Sequence, residues 1–567
     1  MMSFVLPGLR PFLVAAVIAI AVQSGTAFAL PASAYLVARQ ADRSNDFDAA
    51  ANGYLQAMRG DASNPVLIDG ALGALIGAGR IDRAVPVARL MSRASSKSRN
   101  VDIVLLADHL RTGLYDEAIA LLGARTIVGG APDALFEGWA HFGAGRTADA
   151  FAAFEKVARI EGVGALGRFS AALALAASGD YAGADAALAA FETDYGASRR
   201  SILARVQVLS TLGQNAAARA VLDDAYGPAA DIEIDDLRSR LDAGETIAFD
   251  IARNASEGAA EVFLALAAAV EGERDDRQTL AFARFAQFLR PDHIDATLFA
   301  AETLSALEQW NLAIAAFESV PEESPARFAA RLGRAEVLSL SGRTDAALEE
   351  FVSLARVHPE SVTLHVAKGD LLRRESRFAE AADAYGRAIA LLSPPEPRHW
   401  ALFYSRAIAH ERAKQWDAAE PDFRKALELS PDQPQVLNYL GYSFLEMGTN
   451  LDEAMAMIEN AVAQRPEDGH IVDSLAWGLF LLGRYDEAVV PMERAALLMP
   501  LDPIVTDHLG DVYWAVGRKR EAEFQWRRAL SFDPEPDEVD RIRRKLEVGL
   551  DTVLTEEGAP PLLRQED

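Results

Sequence analysis

The strongest constraint in this chain is that it says nearly the same thing twice. Residues 473–500 read DSLAWGLFLLGRYDEAVVPMERAALLMP, and residues 507–534 read DHLGDVYWAVGRKREAEFQWRRALSFDP, 34 residues later. Repetition at such a period means that a chain grows by adding units to a solenoid rather than by enlarging one core. The register runs back through the second half. Ala313, Ala347, Ala381, Ala419, Ala454, Ala488 and Ala522 hold equivalent places, with extra residues only before Ala419 and Ala454. Four residues after each stands a bulky side chain: Phe317, Phe351, Tyr385, Phe423, Ile458, Met492 or Trp526. Prolines close most units, at Pro325, Pro359, Pro431, Pro466, Pro500 and Pro534.

Each unit reads as two antiparallel helices. Small residues such as Gly369, Gly441 and Gly510 on the first helix, facing Ala488 or Ala522 on the second, let two backbones approach while the bulky position fills the remaining space. Gly483 and Gly517 suit a turn that needs positive φ. The closing proline lacks an N–H and disfavours helix before it, so the second helix stops there. Pro86, Pro421 and Pro491 break these rules, falling inside second helices where proline costs a hydrogen bond and bends the axis. Nothing in the sequence accounts for them.

The pattern resembles the tetratricopeptide repeat (TPR) family, matched best by Leu475, Ala476, Gly483, Tyr485, Ala488, Ala495 and Pro500 in one unit. The resemblance implies an all-α fold, an α-solenoid of helix-turn-helix repeats wound as a right-handed superhelix; a looser α-solenoid is the alternative. The last third, from LNYLGYSFLEMGTNLDEAMAMIENAV through DGHIVDSLAWGLFLLGRYDEA to DHLGDVYWAVGRKREA, is similar to exported bacterial TPR proteins. Among these are adaptor lipoproteins that present substrates to C-terminal processing proteases of the envelope. The chain departs from those adaptors in having no lipid-bearing cysteine.

Elsewhere the pattern is weaker. Residues 30–227 carry degenerate repeats, such as GLYDEAIALL and GWAHFGAGRTADAFAAF, and predict an irregular N-terminal arch of helical hairpins. Residues 228–258 read as a boundary or hinge, 259–534 as the regular superhelix, and 535–567 as a capping helix with apolar Val539, Ile542, Leu546 and Leu550, followed by a loose tail. Residues 1–29 have the order of a signal peptide: Arg10, the apolar run Phe12–Val22, then small residues ending at Ala29. Cleavage after Ala29 and a periplasmic protein of a Gram-negative bacterium are expected, with a retained N-terminal anchor as the alternative. The apolar run is short for a bilayer span, which needs about 20 residues.

A net charge of −27 sets the long-range field against nucleic acid and anionic lipid unless a local basic patch prevails. The nearest such patch, Arg518–Arg520 with Arg541–Lys545, reads as a solvated helix face. The absence of cysteine excludes disulfides, thiol nucleophiles and Cys-based zinc sites. No nucleophile with a base, phosphate cradle or metal-ligand spacing is legible, so neither enzyme, cofactor nor metal is expected. His470 and Asp473 share a helical face but lack a third ligand.

What remains is a surface. In the TPR family the first helices line a concave groove, and the groove positions map here to Asn438, Tyr442, His470, Asp473, Trp477, Asp507, Asp511 and Trp514. Asn438, Asp473 and Asp507 are equivalent, so stacking should align a polar column flanked by aromatic faces. Carboxylates stand where carboxylate-clamping TPRs need Lys, Arg and Asn. The groove therefore suits backbone amides, cationic side chains or an amphipathic segment. A non-enzymatic scaffold or adaptor for a protein or peptide is expected, without stable membrane insertion; cell-wall glycan binding on the tryptophan faces is the rival.

Overall fold

The structure, a computed structural model, describes residues 29–92, 98–227, 232–272, 275–392, 394–559 and 562. The expected signal peptide lies outside these residues except for Ala29, where the first helix, Ala29–Arg43, begins. The loose tail beyond residue 562 also lies outside them. Among the described residues every regular element is a helix, and consecutive helices pair as hairpins. The chain divides into two compact units, Met1–Leu354 and Ala355–Asp567.

In the second unit the repeats follow the expected register. The helix pairs are Val362–Arg374 with Phe378–Ala390, Trp400–Arg412 with Trp416–Leu429, Pro434–Glu446 with Leu451–Gln464, Gly469–Leu481 with Tyr485–Leu498, and Pro503–Ala515 with Lys519–Ala529. Side chains start the first helices: Ser361, Asp468 and Asp502 accept the backbone N–H of Leu364, Ile471 and Val505. The turns need positive φ, which Gly483 and Gly517 supply and which Ser376 and Lys414 also adopt. Neighbouring first helices touch, whereas second helices pack chiefly on first helices, so the first helices form the inner face.

The seven signature alanines are fully buried. Their packing refines the sequence reading, because the bulky residue sits mainly on the glycine of its own repeat. A Cβ added to Gly510 would meet the Trp526 ring at 2.4 Å, and one on Gly369 would meet Tyr385 at 2.6 Å. Pro86 and Pro421 are exposed and Pro491 half-buried, each within a second helix. There, outward-facing carbonyls robbed of a donor can be hydrated.

The first unit differs from an open arch. The hairpin Ala255–Val270 with Asp276–Leu289 folds back onto the first helices Pro65–Gly77, Arg99–Thr112 and Gly130–Gly143. Phe263 packs tilted against Phe136 with centroids 4.6 Å apart, Gly258 abuts Trp139, and Arg111 lies 4.1 Å over the Phe288 ring. Much of this inner face is thus filled from within.

The boundary read at residues 228–258 falls elsewhere: the units divide at Leu354, and residues 232–258 belong to the first unit. They comprise the helix Ile232–Asp242 and a loop pinned by side chains of the helices Arg199–Thr211 and Asn215–Tyr226. Ser210 Oγ accepts Ile247 N–H at 2.8 Å, Gln207 exchanges bonds with Asp250 at 2.7 and 3.0 Å, and Asn215 donates to the Glu245 carbonyl at 2.8 Å. Turn-forming residues mark this loop in the sequence, but these bonds tie it to the preceding helices and Ile247, Phe249 and Ile251 are buried, so it is not built as a hinge.

Ala488→Leu should overpack the helix pair and destabilise by about 1–3 kcal/mol. Urea unfolding followed by circular dichroism measures it, and an unchanged midpoint would refute the repeat register.

Candidate partner-binding face

The groove residues occupy repeating offsets from the closing prolines. Asn438 and Tyr442 lie 7 and 11 residues after Pro431, Asp473 and Trp477 after Pro466, and Asp507 and Asp511 after Pro500. The structure places all of them on first helices, in two adjoining clusters.

The first cluster centres on Asp473, which is 6% exposed and pairs with His508 Nδ1 at 3.0 Å, not with His470. The Trp477 ring stacks on His508 at 3.9 Å and on Phe480 at 4.8 Å, and its Nε1 donates to Glu446 at 3.3 Å. Burial, with Glu446 and Asp473 nearby, pushes the Tyr442 phenol up. His470 is exposed, and Asn438 Oδ1 is buried with no donor among the described residues.

The second cluster is occupied by the chain itself. Lys545, from the terminal helix Pro536–Val548, is 1% exposed, and its Nζ donates to Asp507 at 2.6 Å and Asp511 at 2.7 Å. Arg541 stands 3.7 Å from both carboxylates. Asp511 also accepts Trp526 Nε1–H at 2.9 Å. Burial and Asp507 push the Asp511 carboxyl up, against the pull of Lys545 and Arg541. After a turn at Gly549, the helix Leu550–Glu556 brings Asp551 to accept Trp514 Nε1–H at 2.8 Å. Glu556 and Glu557 latch this helix to Arg544 and Arg541.

These contacts correct two expectations. Arg541 and Lys545 are not a solvated basic face but the counter-charges of the acidic column. Nor do the tryptophans offer free ring faces: Trp477 is 8% exposed, and Trp514 is packed by Trp526, Gly549 and Lys519. Sugar stacking on Trp477 therefore has little open surface, while Trp514 is half-buried. Glu446, His508, Lys545 and Asp551 were missed as site residues. For Lys545 a signal existed: Arg541 and Lys545 stand 7 and 11 residues after Pro534, the same offsets as Asp507 and Asp511 after Pro500.

Among the described residues no group of three or more His, Asp or Glu could hold a metal ion, and no helix is long and apolar enough to cross a membrane.

The geometry defines an all-α helical-repeat solenoid. The tetratricopeptide repeat family profile matches residues 340–397 and 366–434, so that stretch of the chain carries tetratricopeptide repeats. It is similar to a TPR repeat-containing protein of Pseudomonas aeruginosa, 26% identical over 149 residues, which are 26% of this chain and 25% of the relative. It is also similar to the E3 ubiquitin-protein ligase CHIP of Arabidopsis thaliana, 38% identical over 73 residues, 13% of this chain and 25% of the relative. The chain thus spans about a quarter of the length of these curated relatives. Among solved structures it is similar to the APC/C hetero-tetramer Cut9–Hcn1, with a TM-score of 0.37, 14% identity and coverage of 95% of this chain and 99% of that one.

Two predictions follow from the clusters. Lys545→Met leaves buried carboxylates uncompensated and should destabilise the protein by about 3–5 kcal/mol in urea. Adding Asp507→Asn and Asp511→Asn should recover most of that loss; a single variant as stable as the parent would show that Lys545 is not buried against them. Burial alone lowers the His508 pKa, but Asp473, backed by Asp507 and Asp511, outweighs it and raises the folded value above the ordinary 6.5. The pair's stabilisation is then complete below pH 6.5 and lost as pH rises through the folded pKa. The unfolding midpoint should fall over that window in the parent and fall less in His508→Gln.

Proposed function

We propose that the chain is a non-catalytic scaffold that holds a segment of a partner protein against the inner face of its second unit. The carrying observation is Lys545. An ammonium seated between Asp507 and Asp511 displays in this chain what the acidic column accepts: a cationic side chain on an amphipathic helix. That end is covered by the terminal helices, so the partner's place is the part nearer the N-terminus, around Asn438, Tyr442 and His470. There Asn438 Oδ1 lacks a donor that a partner's N–H can supply.

The sequence order of residues 1–29 supports export to the envelope, and the likeness of the last third to exported adaptors supports a place beside an envelope protease or assembly complex. A photo-crosslinking residue at His470 should then trap an envelope protein. Asn438→Leu should cut the yield about tenfold, the worth of one buried charge-free hydrogen bond with its desolvation, without lowering the helical melt. Equal yields from the parent and the variant would remove Asn438 from the site. Mass spectrometry of the mature protein should show Leu30 at its N-terminus; retention of residues 1–29 would favour the anchor.

A further inference from the structure

The return hairpin does not fill the whole inner face of the first unit. Between the helices Pro65–Gly77, Arg99–Thr112 and Asp276–Leu289 it leaves a cavity of about 400 Å³. The floor is apolar: Phe47, Ile76, Ile103, Phe282 and Phe285 are each at most 7% exposed. Three glycines of the helix Pro65–Gly77 line it, and they differ in purpose. A Cβ on Gly70 would meet the Tyr54 ring at 2.6 Å and one on Gly77 the Phe47 ring at 2.5 Å, so both are notches that packing demands. A Cβ on Gly73 would meet only Asn100 Nδ2, at 3.9 Å. Glycine inside a helix is less favourable than alanine, and here no neighbouring side chain takes up the space it leaves. Gly73 keeps the cavity open.

The charged residues lining the cavity are Asp42, Asp69, Asp275, Arg99 and Arg277, and part of that set is spent on the fold. Asp42 pairs with Arg277 at 3.0 Å, and Asp275 caps the helix Asp276–Leu289 by accepting Gln278 N–H. Asp69 and Arg99 remain. Ser98 and Asn100, the neighbours of Arg99 on either side, donate to Asp69 Oδ1 at 2.6 and 3.1 Å, which sets this carboxylate beside residue 99. The two do not pair, because the Arg99 guanidinium is turned to the carbonyls of Ile127 and Val128 at 3.0 and 2.6 Å. Carbonyls hold a guanidinium in place without neutralising it. Among the described residues, then, a carboxylate and a guanidinium, each without an ion-pair partner and both exposed, stand side by side at the mouth of one apolar cavity. Beyond them the cavity continues as an open cleft, where Arg39 is the further charge.

We propose that this cavity binds a free α-amino acid with a large apolar side chain. The ammonium meets Asp69, the carboxylate meets Arg99, and the side chain passes over Gly73 onto the phenylalanine floor. Simpler ligands fit worse. A purely apolar molecule leaves both charges without partners, while a plain amine or carboxylic acid satisfies one charge and is repelled by the other. In an amino acid the two ionic groups share one carbon, which matches the adjacent placing of residues 69 and 99. The guanidinium fork suits a carboxylate, and a cavity of this volume takes a body of small-molecule size. The site lies wholly within the first unit and is independent of the partner-binding face of the second.

Saturation-transfer NMR with the full-length protein reads binding of weak ligands directly. L-Phenylalanine and L-leucine are the probes; phenethylamine and hydrocinnamate are phenylalanine without its carboxylate or without its ammonium. Phenylalanine should bind saturably, with the strongest transfer to its ring protons, and each truncated analogue should bind about tenfold or more weakly. Asp69→Asn keeps an oxygen for Ser98 and Asn100 but removes the charge. It should weaken phenylalanine about tenfold and leave hydrocinnamate unweakened, a split that general loosening of the fold would not produce. Gly73→Leu fills the open space and should abolish binding while the thermal melt holds or rises. No saturable binding of either amino acid overturns the proposal, as does equal binding of phenethylamine or an unchanged affinity in Gly73→Leu. If acetyl-phenylalanine amide, which carries neither charge, binds as well as phenylalanine, the cavity takes a polypeptide segment and the proposal falls.

Discussion

The fit of a large ring into the notch left by a missing side chain sets the geometry of the second unit. Trp526 on Gly510 and Tyr385 on Gly369 bring paired helices so close that a Cβ in the notch would overlap the ring. The buried alanine four residues before each ring holds the opposite side of the contact. Helix separation fixes how each first helix leans on the next, and that in turn decides which of its residues look inward. Asn438, Asp473 and Asp507 hold equivalent places, each three residues before a small residue, Gly441, Ala476 or Gly510, that lets the paired helices close.

This explains what the sequence disclosed and what it withheld. Helix stops and turns depend on single residues at fixed offsets, such as Pro500 and Gly483, so they were legible. The positions of the inner-face residues were legible for the same reason. Their state was not, because it depends on segments outside the repeat. Whether Asp511 meets water or an ammonium turns on the path of residues 535–556, and the terminal helix discloses that path only through the offsets of Arg541 and Lys545. His508 was passed over because its partner, Asp473, is a turn-equivalent residue in the preceding repeat, where period alone cannot show contact. In the first unit the degenerate repeats gave hairpins correctly in kind, but a return hairpin that fills their inner face leaves no periodic trace.

Both units, each within itself, use the same remedy for an inner face lined with apolar and charged groups: they cover it with their own helices. In the first unit, Arg277 reaches back to Asp42 at 3.0 Å, tying the return hairpin to the opening helix. In the second, Lys545 does the equivalent. Solenoids need capped ends, and a polar outer face would suffice for that purpose. A lysine driven to 1% exposure is more than a cap requires.

The cost of that lysine bears on how a partner can bind. Taking an ammonium and two carboxylates from water is expensive, and their attraction returns the energy only while the geometry is kept. An incoming basic segment cannot displace Lys545 without re-exposing Ile542, Leu550 and Val553, which are at most 3% exposed behind it. Exchange of one cation for another yields little Coulomb energy, whereas loss of that apolar burial is a net loss of about 1.5–3 kcal/mol for each side chain. The terminal helices are therefore a fixed wall rather than a removable plug. On the proposed reading, a partner entering the second unit stops against them, and selection for its sequence rests on the uncovered stretch around Asn438, Tyr442 and His470.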